Sequence, residues 1–232
     1  LLMNERVVKL SISSTVPPVS SQSIASEIEN LTGLRELWLS GCFNGSIPSG
    51  ISRLTELREL NIHNSTVYEN GTLHVGTLSG ALPADIGNLT QLEWLSISNA
   101  LQGTIPVSVG NLSNLKLLRL YQDTTYFGKG RLTGSLPAAI TNLSHLQQLH
   151  ISNQQLSGPL PVALGNLVAL RDLDLSGNLF TEVVPDLTFP RLEYLKLNDN
   201  QFAGFSGGII DCPLLKELHL QNNQIQGDVP AG

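Results

Sequence analysis

Pairs of aliphatic residues, separated by one position, recur nine times along this chain of 232 residues. The pairs are Leu10/Ile12, Leu37/Leu39, Leu60/Ile62, Leu95/Ile97, Leu118/Leu120, Leu149/Ile151, Leu173/Leu175, Leu195/Leu197 and Leu218/Leu220. Because successive side chains of a β-strand lie on opposite faces, each pair predicts a short strand with one aliphatic face. The second members of the last four pairs lie 24, 22 and 23 residues apart. This base period of about 23 to 24 residues predicts a repeat solenoid.

A second pattern, in most copies glycine, a variable residue, an aliphatic residue and proline, follows most of these strands. Its copies read GSIP, GALP, GTIP, GSLP, GPLP, EVVP and GDVP, and they end at Pro48, Pro83, Pro106, Pro137, Pro161, Pro185 and Pro230. Proline has no amide hydrogen to donate, so it is expected where a strand ladder ends. Each unit is therefore predicted to contain a strand, a turn, a second extended piece and an irregular or short helical return.

Asparagine follows several strands at one equivalent place, as Asn178, Asn200 and Asn223. Its amide can bond to turn backbone that would otherwise be buried without a partner. Cys42 occupies that place in an early unit, and the other cysteine, Cys212, lies several strands away. Because a disulfide needs Cα atoms within about 7 Å, we expect two buried cysteines that do not bond to each other.

Composition and charge exclude some classes of protein. A net charge of −6 argues against nucleic-acid binding, which needs a basic surface. A hydrophobic content of 41% with only 5% aromatic residues fits a core of stacked leucine and isoleucine. No apolar run approaches the roughly 18 residues of a membrane span, so we expect no direct membrane insertion by this segment. Neither cysteine has metal ligands at suitable spacing, and we expect no metal and no cofactor.

The full unit, LxxLxxLxLxxNxLxGxIPxxLGN, resembles the plant-specific leucine-rich repeat of receptor-kinase ectodomains, receptor-like proteins and polygalacturonase inhibitors. The resemblance covers essentially the whole chain. It implies an α/β-type superhelical solenoid of about nine repeats, with a parallel β-sheet on the concave face and an irregular or short 3-10 helical convex side. It also implies a second small sheet at the LxGx segment. The family's usual cysteine-paired N-terminal cap is missing, so residues 1–232 are expected to be a single solenoid domain from a longer protein.

The outward positions of the concave strands form the predicted ligand surface, because the resemblance implies that ligands bind to the inner face. Both tryptophans of the chain fall on these positions, where large amphipathic rings contribute strongly to binding. The alternative is that these rings only cover neighbouring strands. The candidate binding residues on this face are Trp38, Asn61, His63, Trp94, Arg119, Tyr121, Gln148 and His150.

Two units are longer than the others, and both carry their extra residues directly after the concave strand. These insertions, residues 65–77 and 123–131, are two repeats apart and are expected on the same rim, roughly 10 Å from each other. Loops of repeat proteins often serve the binding face, but they can also be tolerated insertions that pack only on one another. Their candidate binding residues are Tyr68, Tyr126, Phe127, Lys129 and Arg131.

Seven Asn-x-Ser/Thr sequences are candidate glycosylation sites if the chain is secreted. Part of this number comes from the repeat, because four of them lie in its return turn. The total favours passage through a secretory pathway. The seven are Asn30, Asn44, Asn64, Asn70, Asn88, Asn111 and Asn142.

Together these features predict a non-enzymatic recognition module at the cell surface or outside the cell, with a protein or peptide ligand and, as a further candidate partner, a co-receptor. His150, Ser152 and Asp172 lie on or near adjacent strands, but an open surface without an oxyanion hole does not favour catalysis. Two alternatives remain, a cytoplasmic effector or scaffold and a polygalacturonase-inhibitor-like secreted protein. Ice binding would need a regular lattice of threonine-like residues, whereas the outward positions are irregular.

Overall fold

The computed structural model describes residues 7–13, 23–99, 101–127, 131–185, 187–206 and 212–226, apart from five side chains at positions 68, 69, 126, 127 and 131. Their strands are β1 (Lys9–Ser13), β2 (Glu36–Gly41), β3 (Glu59–Asn64), β4 (Thr66–Glu69), β5 (Thr72–Val75), β6 (Trp94–Ser98), β7 (Gln102–Gly103), β8 (Leu117–Tyr121), β9 (Arg131–Gly134), β10 (Gln148–His150), β11 (Gln155–Gly158), β12 (Asp172–Asp174), β13 (Leu179–Phe180), β14 (Val183–Val184), β15 (Tyr194–Lys196), β16 (Gly204–Phe205) and β17 (Glu217–His219). One α-helical turn, α1, spans Thr124–Phe127. Six 3-10 helices span Ser26–Asn30, Ser49–Arg53, Ile86–Asn88, Val107–Asn111, Ala138–Asn142 and Val162–Asn166.

The nine predicted strands form one parallel sheet in the order β1-β2-β3-β6-β8-β10-β12-β15-β17. Its register aligns equivalent residues of successive units, so Leu60 pairs with Leu37 on one side and Leu95 on the other. The prediction of one concave strand per repeat, with the aliphatic pairs in register, is confirmed.

Leucine and isoleucine from all sides of each coil fill the interior. Leu95, Leu118 and Leu149 are fully buried, as the alternation predicts. The first and last strands each lack a neighbour on one side within the described residues, and there Ile12 is 43% exposed and Leu218 is 38% exposed. Burial of a leucine side chain contributes about 1.5–3 kcal/mol, so the stacked coils stabilise one another through this core.

The return segments begin at the prolines. Pro48, Pro106, Pro137 and Pro161 each immediately precede a 3-10 helix, with φ between −58° and −67°. Because the proline ring fixes φ near this value, it favours the start of a helix at the point where the chain leaves the second extended piece. Together with the 3-10 helices Ser26–Asn30 and Ile86–Asn88, these helices form the convex side that the sequence predicted.

A second, smaller sheet runs along the flank of the coils. It contains four strands in the order β13-β11-β9-β7, and β14 pairs separately with β16. All of these pairs are parallel, and the coil that follows β12 contributes both β13 and β14. The second sheet implied by the repeat is therefore confirmed.

The asparagines after the strands bond to turn backbone, as predicted. Asn178 donates from Nδ2 to the carbonyl oxygens of Ile151 (2.7 Å) and Leu175 (3.0 Å), and its Oδ1 accepts from the Leu156 amide (3.2 Å). Asn200 and Asn223 repeat this arrangement one and two coils later. The buried turns therefore have bonding partners inside the coil.

Both cysteines are buried, and they form no disulfide with each other, in agreement with the prediction. The Sγ of Cys42 lies 3.2 Å from the carbonyl oxygen of Ser65. Burial raises the pKa of the Cys42 thiol, so the group is kept in its unreactive protonated form.

The first insertion is a β-hairpin, in which β4 and β5 pair in antiparallel fashion. Its turn residues Asn70 and Gly71 both have positive φ, 49° and 79°. Two such residues form the tight turn whose twist suits a two-residue hairpin. In the second insertion, the Asp123 carboxylate accepts a hydrogen bond from the Thr125 amide at 2.9 Å, just before α1.

Candidate ligand-binding face

The outward side chains of the large sheet form rows that run across the strands, because the register places equivalent positions side by side. One row contains Glu59, Trp94, Leu117 and Gln148. A second row, two residues further along each strand, contains Trp38, Asn61, Ser96, Arg119 and His150. A third contains His63, Ser98 and Tyr121. The structure places all eight predicted concave residues in these rows, on the side of the sheet away from the core.

A cavity of about 130 Å³, called here the tryptophan cavity, lies between the two tryptophans. Trp38 is 38% exposed and Trp94 is 47% exposed. The Lys9 ammonium lies 5.7 Å from the centre of the Trp38 ring, within the range of a cation–π contact. The cavity is lined by Trp38, Glu59, Leu60, Asn61, Trp94, Ser96, Leu117 and Arg119.

A second cavity, of about 220 Å³ and called here the histidine cavity, lies next to the first. Its lining residues are Arg119, Tyr121, His150 and Ser152. The sequence predicted a single ligand surface on this face, and the structure divides most of its candidate residues between two cavities. Arg119 is common to both, so its guanidinium lies at the centre of the candidate face.

Arg119 is held by neutral acceptors. Its Nε donates to Nδ1 of His150 at 3.3 Å, and one terminal nitrogen donates to Oε1 of Gln148 at 3.4 Å. Because a guanidinium can only donate, Nδ1 of His150 is unprotonated here and the ring proton of the neutral form is on Nε2. That Nε2 is 2.8 Å from a carboxylate oxygen of Asp172 but makes no hydrogen bond of good geometry, so the contact is electrostatic.

His63 lies at the margin of the face, on the strand that leads into the hairpin. Its Nδ1 is 2.6 Å from the hydroxyl of Ser98. Burial lowers the pKa of His63, and the charge of nearby Asp123 opposes this shift. His63 therefore favours its neutral form and is suited to hydrogen bonding rather than to carrying charge.

Leu117 is a lining residue that the sequence reasoning missed. It precedes the core residue Leu118 in the run LKLLRLY, where every leucine resembles a core position. Strict alternation from Leu118 would have assigned Leu117 to the outward face, since neighbouring side chains of a strand point in opposite directions. It extends the apolar surface of Trp94 on the next strand.

The bases of the two insertions are joined by a buried pair of amides. Asn64 donates from Nδ2 to the carbonyl oxygens of Gly76 (3.0 Å) and Asn99 (3.1 Å). Asn99 donates to the Asn64 carbonyl at 2.8 Å and accepts from the Asp123 amide at 2.7 Å. The Gly76 backbone approaches so closely that an ideal Cβ there would lie 2.0 Å from Asn64 Oδ1. The buried amides of Asn64 and Asn99 therefore connect the end of the first insertion to the start of the second.

Lys129 lies outside the described residues, and so do the side chains of Tyr68, Tyr126, Phe127 and Arg131. The backbone of the hairpin starts beside the third row of the face, because Asn64 ends β3 directly after His63.

The structure places the candidate glycosylation site Asn64 inside the coil. Its side chain is fully buried, and its amide nitrogen donates the two hydrogen bonds described above. A glycan on this nitrogen is therefore incompatible with the folded coil. Asn44 is half-buried and accepts from the Thr77 hydroxyl at 2.7 Å. The remaining candidates are exposed, namely Asn30, Asn70, Asn88, Asn111 and Asn142.

The described residues contain no cluster of three or more His, Cys, Asp or Glu side chains that could hold a metal ion. Asp174, one of the carboxylates near His150, accepts hydrogen bonds from the amide and the hydroxyl of Ser176. The arrangement can thus bind polar groups. In the part of the chain that the structure describes, no helix has the length and apolar character that crossing a membrane requires.

Two family models match the sequence. A model described as a leucine-rich repeat region matches residues 72–231, and one described as a leucine-rich repeat matches residues 33–54. Among curated protein sequences, none matches significantly.

Several solved structures are similar to the chain. A TDR receptor is 29% identical with a TM-score of 0.58, over 78% of this chain and 33% of its own. The LRR ectodomain of the Arabidopsis receptor kinase HAESA, in complex with an N-terminally extended IDA peptide hormone ligand, is 24% identical with a TM-score of 0.66, over 87% and 32%. A plant ice-binding protein is 24% identical with a TM-score of 0.63, over 97% and 74%. The chain spans about a third of the two receptors.

Proposed function

This chain belongs to the leucine-rich repeat family, and we propose on that basis that it is a non-enzymatic module that binds a protein or peptide on its concave face. The observation that carries the proposal is the exposure of Trp38 and Trp94, the only tryptophans of the chain, on either side of one cavity. The chain buries nearly every leucine of its coils, yet it leaves these two large rings in contact with solvent. Exposed aromatic surface of this kind is typical of an interaction site.

The physical basis of binding is a preorganised surface. The rows of the face are held by parallel strands, so the anchoring side chains need little ordering when a ligand binds. Trp94 and Leu117 provide adjoining apolar area, and Arg119 provides directed hydrogen-bond donors beside it. Buried aromatic and arginine anchors contribute most of the binding energy of typical interfaces.

We further propose that the chain acts at the cell surface or outside the cell, as part of a receptor that can also contact a co-receptor. The similarity to the TDR receptor supports this role, and HAESA shows that the same fold can hold a peptide hormone. The similarity to an ice-binding protein, at 24% identity, concerns the fold. The five exposed glycosylation candidates are compatible with this location.

Substitution of Trp94 by alanine tests the binding site. Peptides selected from a random phage-displayed library on the wild-type chain should bind Trp94→Ala at least roughly 30-fold more weakly, because loss of a central aromatic anchor costs about 2 kcal/mol or more. Binding is measured by calorimetry with synthetic copies of the selected peptides. The matched control is Val162→Ala, which shortens an 83%-exposed side chain on the convex side and should leave affinity unchanged. Equal affinity of Trp94→Ala and wild type would place the binding site elsewhere.

Glycan mapping tests the location. Protein purified from its source cells should carry glycan at Asn70, at the exposed hairpin turn, and none at buried Asn64. Mass spectrometry of the two peptides distinguishes these outcomes. If Asn70, Asn88, Asn111 and Asn142 are all unmodified, the cytoplasmic effector or scaffold becomes the better interpretation.

A further inference from the structure

Two half-buried charges of opposite sign line the tryptophan cavity, Glu59 on β3 and Arg119 on β8. Among the residues that the structure describes, neither forms an ion pair. Arg119 donates to Nδ1 of His150 and to Oε1 of Gln148, neither of which is a carboxylate. In contrast, Glu36, which occupies the position equivalent to Glu59 on the neighbouring strand, is paired with Lys9. Glu59 and Arg119 thus line the cavity without an ion-pair partner in the described part of the chain, although Lys9 lies close enough to Glu59 to interact with its charge.

Partial burial of an unpaired charge is unfavourable, since it removes hydration without a compensating contact. A ligand that brings a basic group to Glu59 and an acidic group to Arg119 would supply both contacts at once. Charge complementarity of this kind selects a partner and fixes its position on the surface.

The sheet fixes the separation of the two charges. β3 and β8 are both neighbours of β6, and Arg119 is two residues beyond Leu117, which lies in the same row as Glu59. The two residues are therefore two strand spacings apart across the sheet and two residues apart along it, roughly 12 Å in all at about 4.8 Å per spacing and about 3.3 Å per residue. An extended peptide that crosses the strands obliquely covers this distance in about three to four residues, at roughly 3.3 Å per residue. Trp94 lies on β6 between the two charges, and Leu117 is next to it on β8.

We propose that the ligand is an extended peptide segment with a basic and an acidic side chain about three to four residues apart, and with an apolar side chain between them that rests on Trp94 and Leu117. This inference rests on the proposed function and adds the chemistry of the ligand. Glu59 receives the basic side chain and Arg119 the acidic one. Because Glu59 and Arg119 have fixed positions on the sheet, the basic side chain of the peptide lies over β3 and the acidic side chain lies over β8.

Parallel selections from one random peptide library test the proposal. The library is panned on wild type, Glu59→Gln, Arg119→Gln and Arg119→Glu, with Glu217→Gln as a matched control for a concave carboxylate far from the cavity. Wild type and the control should enrich peptides with basic, apolar and acidic residues in the stated spacing. Glu59→Gln should lose the basic position, Arg119→Gln the acidic one, and Arg119→Glu should enrich a basic residue in its place.

Affinity measurements sharpen the test. A peptide selected on the wild-type chain should bind roughly tenfold more weakly to Arg119→Gln than to wild type. When the acidic residue of that peptide is replaced by lysine, the peptide should bind to Arg119→Glu. Circular dichroism and thermal melting confirm that each variant is folded. If Arg119→Glu does not fold, the isosteric variant Glu59→Gln provides the test of the charge assignment. Peptides that depend on Trp94 but show no charge pattern, or a pattern that ignores the substitutions, would overturn the charge assignment alone. The absence of any enriched peptide that depends on Trp94 would overturn the proposed function as well.

Discussion

The insertion-bearing region, residues 59–134, and the regular region, residues 143–226, build the same core in two ways. Both align their leucines in one sheet, and both use buried side-chain amides to close turns. In the regular region this amide comes three residues after the second aliphatic residue, as Leu175 to Asn178. In the insertion-bearing region it comes two residues after, as Ile62 to Asn64 and Ile97 to Asn99. Here the amides bond to insertion backbone, Asn64 to the returning end at Gly76 and Asn99 to the first residue, Asp123.

The convex sides of the two regions differ as well. Gly110, in the 3-10 helix of the insertion-bearing region, packs directly against the next coil, where an added Cβ would lie 2.4 Å from the Ala139 carbonyl oxygen. Gly165, at the equivalent position of the regular region, faces Thr188 at 3.5 Å. The next coil has no 3-10 helix at Thr188, which explains the additional room. The same GNL motif therefore has different packing requirements in the two regions.

The largest effect is expected from the buried amides. Asn64→Ala and Asn178→Ala should each destabilise the fold by roughly 3 kcal/mol, because each leaves buried backbone groups without partners. The two should differ locally, since only Asn64→Ala releases the end of the hairpin at Gly76. Urea denaturation gives the stability, and hydrogen exchange of the Gly76 amide reports the hairpin. Equal protection of Gly76 in the two variants would show that Asn64 does not secure the insertion.

A smaller effect is expected on the convex side. Gly110→Ala should destabilise the chain by about 2 kcal/mol, because the contacted atom is backbone and cannot rotate away. Gly165→Ala should be neutral or stabilising by up to about 1 kcal/mol, since the methyl group fits and glycine loses more entropy on folding. Thermal denaturation of both variants measures the contrast. Similar melting temperatures would contradict the assigned difference in coil packing.

The smallest effect is expected from His63, which lies in the insertion-bearing region. Its pKa is lowered below the ordinary value of 6.5 by burial, so the unfolded chain binds this proton more readily than the folded chain. Stability from the neutral ring is therefore complete above about pH 6.5 and declines as the pH falls from there toward the lower folded pKa. His63→Gln should flatten this decline, as measured by urea denaturation between pH 5 and 8, a range chosen around the ordinary histidine pKa. A decline of unchanged size in the variant would assign it to other groups.

The fold could be predicted closely because its information is local and repeated. Each aliphatic pair determines its own strand, and in-register stacking of pairs such as Leu60 and Leu95 follows from the period. The outward residues follow from the same alternation, which is why Trp38 and Trp94 were assigned to the face. Leu117 was missed because a leucine beside a core leucine gives no compositional signal.

The roles of other residues depend on contacts that are distant in sequence. Asn64 satisfies the glycosylation motif, yet its partner Gly76 reaches it only because the hairpin doubles back between them. The Asn70-Gly71 turn between two β-prone segments was a usable signal for that hairpin. The division of the face into two cavities depends on how Arg119 bonds to His150 and Gln148, and side-chain positions of this kind do not follow from the repeat.

Because each coil contributes one strand to the concave sheet, side chains in one row of this face are separated by whole multiples of the strand spacing. Every coil adds one step of about 4.8 Å, so distances between anchors on this wall can change only in whole steps. Duplicating the unit that contains β6 would move Arg119 one strand spacing further from Glu59 without changing the chemistry of either group. A lineage, or a designer, can therefore change the length of the segment that the wall measures by gaining or losing entire units.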